Sequence, residues 1–297
     1  MKFDKNYINL FFSAICFGLI IFGGDVMKRN GFSLFEVLAV PVIIISLFTF
    51  PVARKDFGKI LRCNPIICIF YCLCSTVACF GQFAAIFSGL SVSLTAFLLY
   101  TQPLWTIMLG VLFFHERLKK IDVLIVTIMI LGLVFLIQPW KDFSYSIAGV
   151  LWGLSSGILM SVWIILSAYF SKRDVHPISL VFFSYSCMLI PLLIVVLFFS
   201  SQLEPHPELY KFTFFTMGWK KITCVVLYAI FAYVLGNYLF FKASKTIPSI
   251  HLGLFVLMEP IVATMLDVIF LGTSLTLNAI VGSSLILLGN ILIVLKE

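Results

Sequence analysis

The sequence predicts an all-α integral membrane protein with ten transmembrane helices, arranged as two five-helix inverted-topology repeats. Three observations carry this expectation. Hydrophobic residues make up 62% of the 297 positions and charged residues 11%, which leaves too little polar surface to clothe a soluble globule of this size. Apolar stretches of roughly 18 to 24 residues recur along the whole chain, the length a helix needs to cross about 30 Å of hydrocarbon. The second half of the chain also repeats the first, weakly but at a constant offset. The apolar runs lack the period-two alternation that a membrane β-barrel requires.

Taken in order, the helices are expected at 8–26, 32–52, 65–88, 91–114, 121–139, 147–170, 178–200, 222–241, 249–271 and 277–295. The first ends on Lys28-Arg29-Asn30-Gly31. It is full-length and no small-residue cleavage site follows, so it reads as a span and not as a removed signal peptide. Arg54-Lys55-Asp56 closes the second, and Gly89 parts the third from the fourth. His115-Glu116-Arg117 with Lys119-Lys120 closes the fourth, Pro139 to Asp142 the fifth, and Lys172-Arg173-Asp174 the sixth. Gln202 to Lys221 is the one polar loop of real size.

Orientation follows from lysine and arginine. With the N-terminus inside, 14 of the 20 basic residues fall on the cytoplasmic side and 6 outside, which places both termini in the cytoplasm and the chain in the cytoplasmic (inner) membrane as a multi-pass protein. The net charge of +7 therefore belongs to span ends, where cations anchor helices and meet anionic headgroups, and not to nucleic-acid binding. Cys68, Cys72 and Cys79 share a helical face with Ser75. A thiolate-lined metal path is one reading of that face and small apolar filling the other; with no histidine among them, packing is the expectation and no metal site is assigned.

An offset of 157 positions lays 91–137 on 248–294 without a gap. Pro103 meets Pro260, Met108-Leu109 meets Met265-Leu266, Val111 meets Val268, Phe113 meets Phe270, Leu118 meets Leu275, and Leu131-Gly132 meets Leu288-Gly289. The expected units are residues 1–139 and 140–297. Five spans per unit is an odd number, so the two units enter the membrane in opposite senses, the design in which alternating access arises by exchanging the conformations of related halves.

Phe17-Gly18 in the first span, the run from Gly89 through Tyr100, Gln102 and Pro103 to Trp105, the turn His115-Glu116-Arg117-Leu118, Trp152-Gly153 and Met258-Glu259-Pro260 occur in this order along the chain. In these the sequence resembles the drug/metabolite transporter superfamily, in its ten-span EamA-like branch. Many relatives carry Glu-Pro where this chain has Gln102-Pro103, and Gly-Glu where it has Gly272-Thr273. The resemblance implies a central cavity between two halves and a transport role, and leaves the solute open.

The residues point to sites on their own account. Glu259 lies near the centre of its span, where an ionised carboxylate is costly without a partner or water. It suits proton coupling or balancing a cationic solute; equally, it suits a structural hydrogen bond that ties the bend at Pro260 to a neighbour. Ser91, Thr95, Gln102 and Thr106 fall within about 60° of one another on the fourth span, a polar stripe for cavity lining or for helix–helix hydrogen bonds. Pro103 and Pro260 each remove a backbone hydrogen bond at mid-membrane, as static kinks or as hinges. Tyr100, Trp105, Trp163 and Tyr233 sit away from the interfaces that tryptophan and tyrosine usually occupy, and either stack on a solute or pack the core. Gly149, Gly153 and Gly157 permit close helix contact, with a neighbour in the bundle more than with the second copy of a homodimer. Asp25, Glu36 and Asp267, near the outer ends of their spans, read mainly as interfacial charges, with Asp25 or Asp267 lining an outer vestibule as the alternative.

No His-Glu-x-x-His, Gly-x-Ser-x-Gly, acidic metal cluster or phosphate loop occurs, so neither an enzyme, a nucleotide hydrolase nor a cofactor is expected. A scaffold or receptor component is the alternative class, and no large soluble domain or long charged tail favours it. The expected function is secondary transport of a small organic solute, an amino acid or related cationic or zwitterionic metabolite. The expected partners are that solute, membrane lipid and a coupling proton or ion.

Overall fold

The computed structural model describes residues 5–90, 92–114, 120–140, 146–173, 175–200, 207, 210–216, 218–272 and 274–296. Of the positions singled out above, Ser91, His115, Glu116, Arg117, Leu118, Lys119, Lys141, Asp142, Asp174, Gln202 and Thr273 lie outside the described residues. Ten helices are long and apolar enough to cross a membrane: α1 (Asn6–Arg29), α2 (Leu34–Ile60), α3 (Pro65–Ile86), α4 (Leu94–Leu112), α5 (Lys120–Ile137), α6 (Ile147–Ser171), α7 (Pro177–Phe199), α8 (Trp219–Ala243), α9 (Ser249–Leu271) and α10 (Leu277–Leu295). No strand occurs among the described residues. The protein is a multi-pass helical membrane protein.

Local chemistry sets the helix ends. Ser33 opens α2 with a reciprocal capping box, its side chain accepting from the Glu36 amide while Glu36 accepts from the Ser33 amide, which satisfies two otherwise unpaired donors. Ser146 caps α6 through the Gly149 amide (3.2 Å). Gly272 stops α9 in the left-handed region, φ 66°, where a Cβ is penalised. The largest difference from expectation is α2, which runs past Arg54-Lys55-Asp56 and stays helical to Cys63. Charged residues do not end a helix. Asn64 does, because its side chain accepts from the amides of Ile66 and Ile67 and so starts the next one.

Helix packing has an internal symmetry. The principal pairs are α3–α6, α5–α10, α2–α7, α1–α9, α1–α8, α4–α6 and α4–α9. Exchanging each of the first five helices with its counterpart five places on turns α3–α6 into α8–α1 and α4–α6 into α9–α1. The same exchange returns α2–α7, α5–α10 and α4–α9 to themselves. At the α5–α10 seam backbone meets backbone: a Cβ on Gly132 would lie 2.7 Å from the Gly282 carbonyl oxygen, and one on Gly282 would lie 2.6 Å from the Gly132 carbonyl oxygen. Only glycine lets the two backbones meet this way. Gly153 and Gly157 receive Leu98 and Leu99 of α4, so this part of the small-residue stripe packs an internal neighbour.

α4 and α9 are both broken at mid-span. The first helical segment of α4 ends at Leu99 and the second begins at Gln102. In α9 the first segment ends at Phe255, a tight three-residue turn covers Val256–Met258, and the second begins at Glu259. Each second segment therefore starts at the residue before its proline, at repeat-equivalent positions. Proline cannot donate to the carbonyl four residues back and its ring crowds that carbonyl, so the chain reorganises just upstream.

Candidate functional site

A cavity of about 350 Å³ lies inside the bundle. It is lined by Phe17, Ile20, Ile21 and Gly24 of α1, Leu34, Val37, Leu38 and Val42 of α2, Cys79, Gln82, Phe83 and Ile86 of α3, Leu99 and Tyr100 of α4, Met160 and Trp163 of α6, Tyr185 and Met188 of α7, Tyr233 and Asn237 of α8, and Glu259 of α9. These are mid-helix positions of α4 and α6–α9 and end positions of α1, α2 and α3. The cavity thus runs from the middle of the bundle toward the face opposite the chain termini.

Its polar groups owe their places to the helix breaks. Ending the first segment of α4 at Leu99 leaves Tyr100 in the break, and its hydroxyl lies beside the Glu259 carboxyl. Glu259 is the first residue of its segment, directly after the tightened turn, and its own amide donates to the Val256 carbonyl; its side chain lines the cavity. Asn237 donates to the Tyr185 hydroxyl (3.1 Å) and to the Tyr233 carbonyl (2.9 Å). Tyr233 meets Tyr185 edge-on at 5.6 Å. Trp163 stacks on Phe240 at 5.4 Å and 12°, and its indole N–H donates to Ser184 (3.2 Å).

Between the cavity and the face where α1 begins and α10 ends, buried side chains and hydrogen bonds between helices join the bundle. Phe240 and Phe241 are wholly buried there. Tyr7 of α1 hydrogen-bonds His251 of α9 at 2.7 Å. Asn6 donates to Thr246 (2.9 Å), Ser13 to the Gly236 carbonyl (2.8 Å), and Ser244 to Ser171 (2.8 Å).

Of the residues singled out from sequence, Tyr100, Trp163, Tyr233 and Glu259 come together in the cavity wall. The other four do not line it. Gln102 is fully enclosed, its amide donating to the Gly253 carbonyl (2.6 Å) and its oxygen accepting from Thr106 (3.1 Å). The polar stripe of α4 thus bonds helix to helix at this point. Thr95 is buried outside the cavity, and Trp105 donates to Thr101 (3.2 Å). Pro103 and Pro260 mark the two breaks. Asn237, Tyr185 and Gln82 line the cavity without standing out in the sequence, although Asn237 carries a usable signal, an amide in the middle of an apolar span.

Glu36 is not an interfacial charge. It is wholly buried and accepts from the Thr213 hydroxyl (2.8 Å), the Phe214 amide (2.8 Å) and the Thr213 amide, while Ser33 donates to the Lys211 carbonyl (2.9 Å). The segment ahead of α8 is thereby strapped onto the start of α2. Cys72 and Ser75 donate to the carbonyls of Phe183 and Ser184 on α7, and of that cysteine face only Cys79 reaches the cavity. Among the described residues no group of three or more His, Cys, Asp or Glu is arranged to hold a metal ion.

The sequence profile of the EamA-like transporter family matches residues 5–138 and again residues 147–295. A protein of Clostridium kluyveri called an uncharacterized transporter is 23% identical over 97% of this chain and 92% of its own length. One of Archaeoglobus fulgidus with the same description is 24% identical over 100% of this chain and 98% of its own. A solved structure titled "Crystal structure of protein" superposes with a TM-score of 0.76 at 17% identity, covering 97% of this chain and 96% of that one. That likeness concerns the fold.

Proposed function

The chain belongs to the EamA-like transporter family, and from that premise we propose that it is a secondary transporter moving a small organic solute across the cytoplasmic membrane by alternating access. The observation that carries the reading is the cavity: a carboxylate at a mid-span helix break, ringed by aromatic side chains, with the hydrogen-bonded layer that joins the bundle on the side of the termini. A solute held there has a path toward the face opposite the termini. The packing symmetry supplies the way to release it on the other side, because residues 1–139 and 140–297 can exchange conformations and invert which side is joined. Both termini face the cytoplasm in this reading, and energy comes from an ion gradient or from exchange, with Glu259 the candidate for proton coupling.

The test is uptake into proteoliposomes, screened across amino acids, cationic metabolites and nucleoside derivatives, with and without a proton gradient. Saturable uptake that depends on the protein and on Glu259 is expected. No gradient-driven uptake or counterflow by reconstituted, correctly folded protein across the screen would overturn the reading in favour of a scaffold.

A further inference from the structure

A second hollow, a groove of about 450 Å³, runs between α1 and α8 and shares no lining residue with the cavity. Along α8 it extends from Lys220 to Ala232, about 18 Å at 1.5 Å per residue. That is close to the depth of one leaflet of a hydrocarbon core about 30 Å thick. Leu19, Phe22, Val26, Val225 and Phe231 give it apolar walls. The Tyr228 ring packs directly against the α1 backbone at Gly23, where a Cβ would collide with it, and its hydroxyl is used on the Ile20 carbonyl (2.8 Å). Cys224 and Phe231 are exposed along the groove, so it opens sideways, toward lipid.

Apolar walls alone would accept any acyl chain; the charge at one end is selective. Of the six basic residues assigned to the face opposite the termini, four stand at the ends of these two helices: Lys28 and Arg29 close α1, and Lys220 and Lys221 open α8. Segments on that face ordinarily carry few cations. Arg29 is paired with Asp25 at 2.6 Å, whereas Lys28, Lys220 and Lys221 have no ion-pair partner among the described residues. Lys220 and Lys221 line the groove. Trp219 beside them is 72% exposed, the place a tryptophan takes at headgroup level. A lysine at this depth lays its methylene stem along the apolar wall and keeps its ammonium at the surface, where it attracts an anionic headgroup. A zwitterionic headgroup brings a phosphate already balanced by its own cation. A second copy of this chain, docked groove to groove about a two-fold axis, would set these cations against their own kind.

We propose that the α1–α8 groove binds one anionic phospholipid from the leaflet at that face, an acyl chain lying between the helices over Tyr228 and the phosphate paired with Lys220 and Lys221. The site is separate from the cavity and does not depend on the transport reading.

The experiment titrates the full chain in detergent with phosphatidylglycerol or with phosphatidylcholine of the same acyl chains, and counts bound lipids by native mass spectrometry. The first phosphatidylglycerol is expected to bind about ten-fold tighter than the first phosphatidylcholine, and less so at high salt. Lys220→Gln with Lys221→Gln should abolish that preference, while Lys242→Gln with Lys245→Gln, an exposed pair at the other face, should keep it. Cys224→Trp, which fills the groove from an exposed position without touching charge, should weaken the first phosphatidylglycerol about ten-fold. Glycerol 3-phosphate, which has the phosphate and no chains, should not compete. Equal affinity for the two lipids, a preference that survives in the Lys220/Lys221 variant, or one lost equally in the Lys242/Lys245 variant overturns the proposal. So does competition by glycerol 3-phosphate, which marks a site for free phosphate, or a dimer that forms in place of the lipid adduct. Unchanged binding in folded Cys224→Trp removes the chain from the groove and overturns it as well. If that variant does not fold, the lysine pair and the glycerol 3-phosphate competition decide between them.

Discussion

Gln102 and Glu259 stand at the same point of two broken helices and have different partners: Gln102 is enclosed and ties α4 to the Gly253 carbonyl of α9 at 2.6 Å, while Glu259 lines the cavity beside Tyr100. One amide joins the two breaks, and one carboxylate serves the space between them. The two positions therefore give opposite results when their chemistries are exchanged. Glu259→Gln preserves shape and deletes charge, so the protein should insert and purify normally yet lose uptake or its dependence on pH. Uptake against pH in vesicles of equal protein content decides this; an unchanged profile leaves Glu259 with a structural role alone.

Gln102→Glu is expected to fail as a folded protein before it fails as a transporter. It removes the donor to Gly253 and sets a carboxylate oxygen against that carbonyl, at a cost of about 1–3 kcal/mol or more. A lower midpoint of thermal unfolding in detergent than that of Glu259→Gln is the expected result. Equal midpoints would show that the α4–α9 bond is worth little.

The hydrogen-bonded layer near the termini predicts where a lock will act. Asn6 and Thr246 side chains meet at 2.9 Å, so Asn6→Cys with Thr246→Cys, on a background free of other cysteines, should cross-link and hold that mouth shut. Uptake should stop on oxidation and return on reduction. Full uptake in the cross-linked state would rule out opening at this face.

Orientation can be read with reporters. Fusions at Lys5 and Glu297 should both report the cytoplasm, and one inserted at Gln202 the outside. A terminus found outside reverses the assignment made from lysine and arginine.

The Glu36 strap is a matter of unpaired donors. Glu36→Ala leaves the amides of Ser33, Thr213 and Phe214 without their acceptor, each worth about 1–3 kcal/mol if buried and unmet. The 210–216 segment should become the first site of cleavage by an external protease, and Glu36→Gln should restore part of the protection. Equal cleavage in parent and Glu36→Ala would show that the strap is held by Phe35 and its ring contacts with Tyr210 and Phe212.

Much of the fold was legible in the sequence because a membrane forces each span to declare itself as about twenty apolar residues. Pro103 and Pro260 announced the breaks for the same reason, since a proline at mid-span has no water to relieve it. The cavity was less legible. Tyr100, Trp163, Tyr233 and Glu259 stood out as polar or amphipathic groups far from an interface, but Gln102, Thr106, Thr95 and Trp105 stood out equally and do not line the cavity. Rotation of a helix about its axis decides which polar face meets a cavity and which meets another helix, and that rotation is set by contacts with other spans. Phe17, Met160 and Met188 are indistinguishable by type from lipid-facing residues. Glu36 shows the same limit: an acid near a span end reads as interfacial until the segment 178 residues away folds over it.

The contact between Gly132 and Gly282 has a mechanical consequence for the rocking proposed above. Two bodies can swing past each other only about an axle, a line along which they stay together, and backbone held directly against backbone supplies one at the edge formed by α5 and α10. No residue of either helix lines the cavity. Under that proposal the bearing and the pocket are built from separate parts of the chain, so cavity side chains could be exchanged without disturbing the pivot.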